Sequence, residues 1–125
     1  MNSLTGYKKV LCFRIVKDGE KDYGSIIDDY DNTSIILSSE KLSVATVKTP
    51  PASEIIYLDR ELRSPRLYVE EIKNFNNKTI DDNYRCYANG YRFIVGKTTY
   101  SESRINPGIH FDLTVDQAKK DKYYY

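Results

Sequence analysis

The stretch Tyr84-Arg85-Cys86-Tyr87-Ala88-Asn89-Gly90-Tyr91-Arg92-Phe93-Ile94-Val95 decides the fold class. Asn-Gly supplies the two consecutive positive-φ residues of a type I′ turn, and the aromatic and β-branched residues on either side suit paired strands, so the segment predicts a tight antiparallel hairpin. Upstream, Arg66-Leu67-Tyr68-Val69-Glu70-Glu71-Ile72-Lys73-Asn74-Phe75 alternates until Glu70-Glu71, where one extra polar residue shifts the phase. A β-bulge accounts for the shift. Downstream, Thr114-Val115-Asp116-Gln117 matches a capping box, which starts a C-terminal helix of two or three turns.

Working outward, residues 9–16 read as a strand entering the turn Lys17-Asp18-Gly19-Glu20. Thr33-Ser34-Ile35-Ile36-Leu37 reads as a meander strand, and Ser25-Ile26-Ile27 as a strand or a loop. Val44-Ala45-Thr46-Val47 is a strand stopped by Pro50-Pro51. Residues 53–62 fit a helix face or a strand equally. The expectation is an α+β single domain over residues 1–125, mainly antiparallel β-sheet with a short C-terminal α-helix.

Composition narrows the function classes. Among 125 residues, 19 basic and 18 acidic side chains leave a net charge of +1, which disfavours a broadly basic partner of DNA or RNA. The first nine residues hold no apolar h-region and no stretch approaches 18 apolar residues, so neither a signal peptide nor a membrane span is expected. Cys12 and Cys86 lie in apolar and Tyr-rich runs and read as buried thiols of a reducing cytosol rather than a disulfide. With His110 they supply three scattered ligands, too few for a zinc site, so no metal is expected.

Catalysis finds little support. His110 has no Ser or Cys placed beside it by a local motif, and Asp28-Asp29, Glu70-Glu71 and Asp81-Asp82 read as solvated carboxylates. No phosphate-binding Gly-rich loop occurs, so neither enzyme chemistry nor a cofactor is expected. Binding finds more. Six of the seven Arg residues lie between positions 60 and 104, interleaved with Tyr, Phe and Asn. Guanidinium forks, aromatic faces and amides suit phosphates, a base and ribose hydroxyls. The competing structural reading is a wet sheet face that alternates Arg and Tyr for cross-strand packing. Arg63-Ser64-Pro65-Arg66 reads equally as two guanidinium groups set about a rigid turn and as an exposed connection. Gly6-Tyr7-Lys8-Lys9 reads as a flexible start and solvated strand entry ahead of a phosphate contact, and His110 as a satisfied, partly buried imidazole ahead of a ligand contact.

Leu4-Thr5-Gly6-Tyr7-Lys8-Lys9, residues 63–75, and Tyr91-Arg92-Phe93-Ile94-Val95-Gly96-Lys97 running on to Pro107-Gly108-Ile109-His110-Phe111 resemble small bacteriophage and prophage proteins. Two groups share this layout. One is the Thoeris anti-defence family, sponges for the cyclic ADP-ribose isomer made by a TIR-domain immune enzyme; the other is a domain found beside pentapeptide repeats. The second group has a Lys-Cys-Arg motif where this chain has Leu62-Arg63-Ser64, and repeats that are absent here, which favours the sponge. The resemblance implies a homo-oligomer in the cytoplasm of the bacterial host that captures a cyclic nucleotide without turnover. Side-chain chemistry assigns Arg63, Arg66 and Arg104 to the diphosphate, Phe75 and Tyr91 to adenine stacking, and Asn89 and Asn106 to ribose hydroxyls. The alternative from another class is a phage structural or protein-interaction domain, and a third is a phosphodiesterase acting on the same messenger.

Overall fold

The computed structural model describes residues 3–16, 25–28, 34–101 and 108–121, with side chains described for 3–14, 41–101 and 108–121. In chain order the strands are β1 (Ser3–Val16), β2 (Ser25–Asp28), β3 (Ser34–Pro51), β4 (Ile56–Leu58), β5 (Glu61–Ser64), β6 (Arg66–Asn74), β7 (Tyr84–Ala88), β8 (Tyr91–Phe93), β9 (Thr98–Tyr100) and β10 (Ile109–Phe111). A 3-10 turn, Ala52–Glu54, follows β3, and one helix, α1 (Val115–Lys120), follows β10. The expected α+β class holds: the chain is dominated by antiparallel sheet with a single short C-terminal helix.

The main sheet runs β8-β7-β1-β3-β6-β9, with β2 added on β3. Its two ends come back toward each other, where Thr99 Oγ1 of β9 donates to the Arg92 carbonyl of β8 at 2.9 Å. The result is a nearly closed, barrel-like sheet. Closure hides edge backbone groups that would otherwise pair with another chain. A smaller sheet, β10-β5-β4, is joined to it where Tyr7 and Asp112 exchange both backbone hydrogen bonds at 2.8 Å. There Phe111 lies so close to Gly6 that a Cβ at position 6 would sit 2.5 Å from its ring, so only glycine admits the contact. The core shared by the two sheets includes Val10, Val47, Leu67, Val69, Ile109 and Phe111.

Local signals placed several elements. Asn89 and Gly90 take φ of 52° and 82° between β7 and β8. The pairing of β3 with β6 steps from Thr46↔Glu71 to Val47↔Val69, skipping Glu70, which is the bulge expected there. The Thr114 hydroxyl accepts from Gln117 N–H at 3.1 Å, capping α1. The ambiguous residues 53–62 contain no α-helix: Asp59 and Arg60 adopt positive φ and turn β4 into β5.

Other expectations are corrected. Residues 34–51 form one long strand where two shorter ones were expected, because β1 pairs with it almost throughout. β8 stops at Phe93 instead of reaching Val95, since Lys97 N–H bonds back to the Ile94 carbonyl and Gly96 turns at φ 85°. α1 has six residues, short of two full turns, because Asp121 leaves helical geometry at ψ 141°. Cys12 and Cys86 are buried as expected, but they are not thiols: the β1–β7 register sets them opposite each other and they form a disulfide. The turn at Lys17-Asp18-Gly19-Glu20 lies outside the described residues. Among the described residues no helix is long and apolar enough to cross a membrane.

Candidate functional site

The position that departs most from ordinary strand chemistry is Lys8. Side chains alternate along a strand, so Lys8 shares the inward face of β1 with Val10 and Cys12, and it is fully buried. The solvated strand entry expected for it is therefore corrected. Its ammonium meets His110 Nδ1 of β10 at 3.4 Å. His110 in turn lies between two carboxylates, with Asp121 Oδ2 3.0 Å from Nδ1 and Asp112 Oδ1 3.4 Å from Nε2. From β5, Arg63 pairs with Glu61 at 2.8 Å, and both charges act on Lys8.

Burial sets the electrostatics of this cluster. Desolvation lowers the Lys8 ammonium from 10.5 to about 8, against the stabilising pull of Asp121, Asp112 and Glu61. His110 is lowered too, first by burial and then by the Lys8 charge. The Asp112 carboxyl is raised to about 6 by burial, by the Asp121 charge and by a hydrogen bond to Asp121. Groups pushed toward neutrality from both sides of pH 7, beside a cleft, make this cluster the candidate functional site.

His110, Asp112, Asp121 and Glu61 of this cluster line a cleft of about 520 Å³, a size suited to a small ligand. Its lining includes Tyr57 of β4, Arg60 of the β4–β5 turn, and Gln117 and Lys120 of α1. Tyr57 is 70% exposed, an open aromatic face. Among the described residues neither Arg60 nor Lys120 has a side-chain hydrogen bond or ion-pair partner. Arg63 Nε is buried without an acceptor. The charged side chains that line the cleft are Arg60 and Lys120 with Glu61, Asp112 and Asp121, and the buried Lys8 and the Arg63 guanidinium add positive charge from behind the lining. His110, Asp112 and Asp121 bring one donor atom each within 4.8 Å. The two carboxylates, however, approach opposite ring nitrogens, and the Lys8 ammonium already supplies a cation there, so the arrangement does not suit a metal ion.

The residues assigned from sequence do not share one pocket. Arg63 is the register partner of the cleft-lining His110 and is held by Glu61, but does not itself line the cleft. Arg66 is engaged by both oxygens of Glu54 at 2.9 and 3.1 Å, which raises its already high pKa. Phe75 has Lys9 and Lys119 over its ring, 5.8 and 5.4 Å from the centroid. Tyr91 packs half-buried on the core, and Asn89 sits exposed in the hairpin turn. Arg104 and Asn106 lie outside the described residues. A second cleft of about 620 Å³ holds Arg85 and Arg92, but Glu70, Glu71, Asp81 and Asp82 around it outnumber them and oppose an anion. His110 is satisfied and buried, as expected, and also faces the first cleft. Sequence reasoning missed Tyr57, Arg60, Asp112, Lys120 and Asp121; the lone His beside Asp112 was the one local signal.

Comparison with protein-family models, curated proteins and solved structures finds no match to this chain.

Proposed function

We propose that the protein captures a small anionic nucleotide, of the cyclic ADP-ribose class that the sequence resemblance implies, and retains it without turnover in the cytoplasm of a bacterial host. The observation that carries the reading is the first cleft, of about 520 Å³, lined by an open Tyr57 ring and by Arg60 and Lys120, which have no side-chain partner among the described residues. A base stacks on an exposed aromatic ring, phosphates pair with rim cations, and ribose hydroxyls donate to carboxylates such as Glu61. Tyr57 takes the stacking role first given to Phe75 and Tyr91, whose rings are occupied. Starving an immune receptor needs nanomolar affinity, about −12 kcal/mol, which favours a prebuilt site and an oligomer that encloses the ligand.

A second reading, hydrolysis of the same messenger, draws on the placement of His110 between two carboxylates, an arrangement able to move protons. One experiment separates the two. The protein is incubated with the cyclic nucleotide, freed of excess ligand, heat-denatured, and the released material chromatographed. Intact nucleotide is the result expected; a linear product assigns hydrolysis, and an empty protein removes both readings in favour of a protein-interaction domain.

A further inference from the structure

The smaller sheet ends on β4, whose strand neighbour among the described residues is β5 alone. The main sheet nearly closes on itself where Thr99 meets Arg92, whereas β4 leaves an edge open. Its pairing shows which groups that edge offers. Leu58 and Glu61 flank the two-residue turn Asp59-Arg60, both at positive φ, so they form the first hydrogen-bonded pair of the hairpin. Pairs alternate along an antiparallel ladder, which makes Tyr57↔Leu62 a non-hydrogen-bonded pair and turns the Tyr57 N–H and C=O away from β5. Tyr57 is 70% exposed, and Ile56-Tyr57-Leu58 carries neither a charge nor a proline to deter a partner strand.

We propose that this edge is an interface between two copies of the chain, joined by antiparallel pairing of β4 with β4 about a two-fold axis at Tyr57. A strand with one outward N–H and C=O is its own complement in that arrangement, since each Tyr57 donates to the other's carbonyl and accepts from its N–H. Charge favours a second copy over an unrelated peptide. Counting outward from Tyr57 brings the turn residue Arg60 alongside Glu54 of the second copy, within reach of a long side chain. Arg60 has no side-chain partner among the described residues. Glu54 holds Arg66 at the surface, and a carboxylate can accept from more than one guanidinium. Symmetry repeats the contact on the other side of the axis. Directly opposed residues of an antiparallel pair project from the same face, so both Tyr57 rings stand on the face that bears the cleft, and the two clefts open side by side on one continuous sheet. The pairing concerns the edge alone and does not depend on what the cleft binds.

Light scattering after size exclusion, on the full chain with its disulfide intact and over a roughly thousandfold range of concentration, reads the interface directly. The mass should rise with concentration from 14.5 kDa toward twice that value, with a dissociation constant in roughly the micromolar range, as suits so short an edge. Tyr57→Pro removes the outward N–H without touching the β4–β5 ladder, because proline is tolerated on an edge strand with that side facing water, and it should weaken association at least about tenfold. If that variant does not fold, Tyr57→Cys gives an independent reading. Cys12 and Cys86 are bonded to each other, so the added thiol is the one free to react. Mild oxidation should link two chains through it, since opposed Cα atoms of a hydrogen-bonded pair lie about 5.5 Å apart. Val95→Cys, exposed at the second cleft, should not link. A wild type that stays at 14.5 kDa throughout, a Tyr57→Pro dimer as tight as wild type, or equal cross-linking at the two positions overturns the proposal.

Discussion

A fully buried lysine on the core face of a strand is costly unless something nearby requires it, and Lys8 shows the cost in its own titration. Its folded value, about 8, lies below the unfolded 10.5. The unfolded chain thus holds the proton more tightly between those values, so the charge destabilises the fold below about pH 8, and the penalty recedes as pH rises toward 10.5. The shift corresponds to roughly 3 kcal/mol at its largest. Comparing wild type with Lys8→Met by urea unfolding at pH 7 and pH 10 isolates this contribution, because every other side chain is common to the two proteins. The stability difference, wild type minus variant, should move in favour of wild type by about 2–3 kcal/mol between the two pH values. A difference that does not change with pH would place the ammonium in water, contrary to the contact with His110.

At the scale of elements, α1 tests how much a six-residue helix owes to its ends. It is too short to persist alone, and Thr114 satisfies the Gln117 N–H at its start. Thr114→Ala should cost about 1 kcal/mol of global stability, measured by urea unfolding, and at pH 5 it should speed exchange in α1 more than in β7. The same cap was legible in the sequence, as were the Asn89-Gly90 hairpin and the bulge at Glu70, because each is fixed by residues within a few positions of one another. The continuous β3 was not legible. Nothing local around Ser38-Ser39-Glu40 asks for a strand, and its register comes from β1 across the sheet. The site was less legible still. Lys8 and His110 are separated by 102 residues, and Lys9 and Asp121 by 112. Clustered Arg residues pointed toward 60–104, yet Arg66 spends its fork on Glu54, and of the described candidates Arg63 comes near the cleft only as the register partner of His110. Charge density along a chain reports potential ligands; which of them converge depends on which sheet each strand joins.

The whole molecule is held by closure of the sheet and by one covalent link across it. β1 runs between β7 and β3 while presenting Lys8 to the second sheet, so any shift of β1 disturbs the barrel and the cleft together. The Cys12–Cys86 disulfide ties β1 to β7 across a sequence separation of 74, and both residues are buried. Closing a loop of that length removes unfolded-state entropy worth about 4 kcal/mol in the chain-entropy account, of which 2–4 kcal/mol is commonly realised. Burial shields the bridge from reductant in the folded state, so reduction should require opening of the β1–β7 pair. This bears on the proposed cytoplasmic location, where thiols are held reduced: the chain must keep its fold with the link open, resting on barrel closure alone. Cys12→Ser/Cys86→Ser, or wild type unfolded and refolded in excess dithiothreitol, should be less stable by about 2–4 kcal/mol while retaining its far-ultraviolet circular dichroism. Intact mass under non-reducing conditions fixes the starting state, since the oxidised chain is two hydrogens lighter. If the double variant instead loses its β-sheet signal, the disulfide and not the hydrogen-bonded closure is what holds β1 in register, and a reducing compartment is ruled out as the protein's working place.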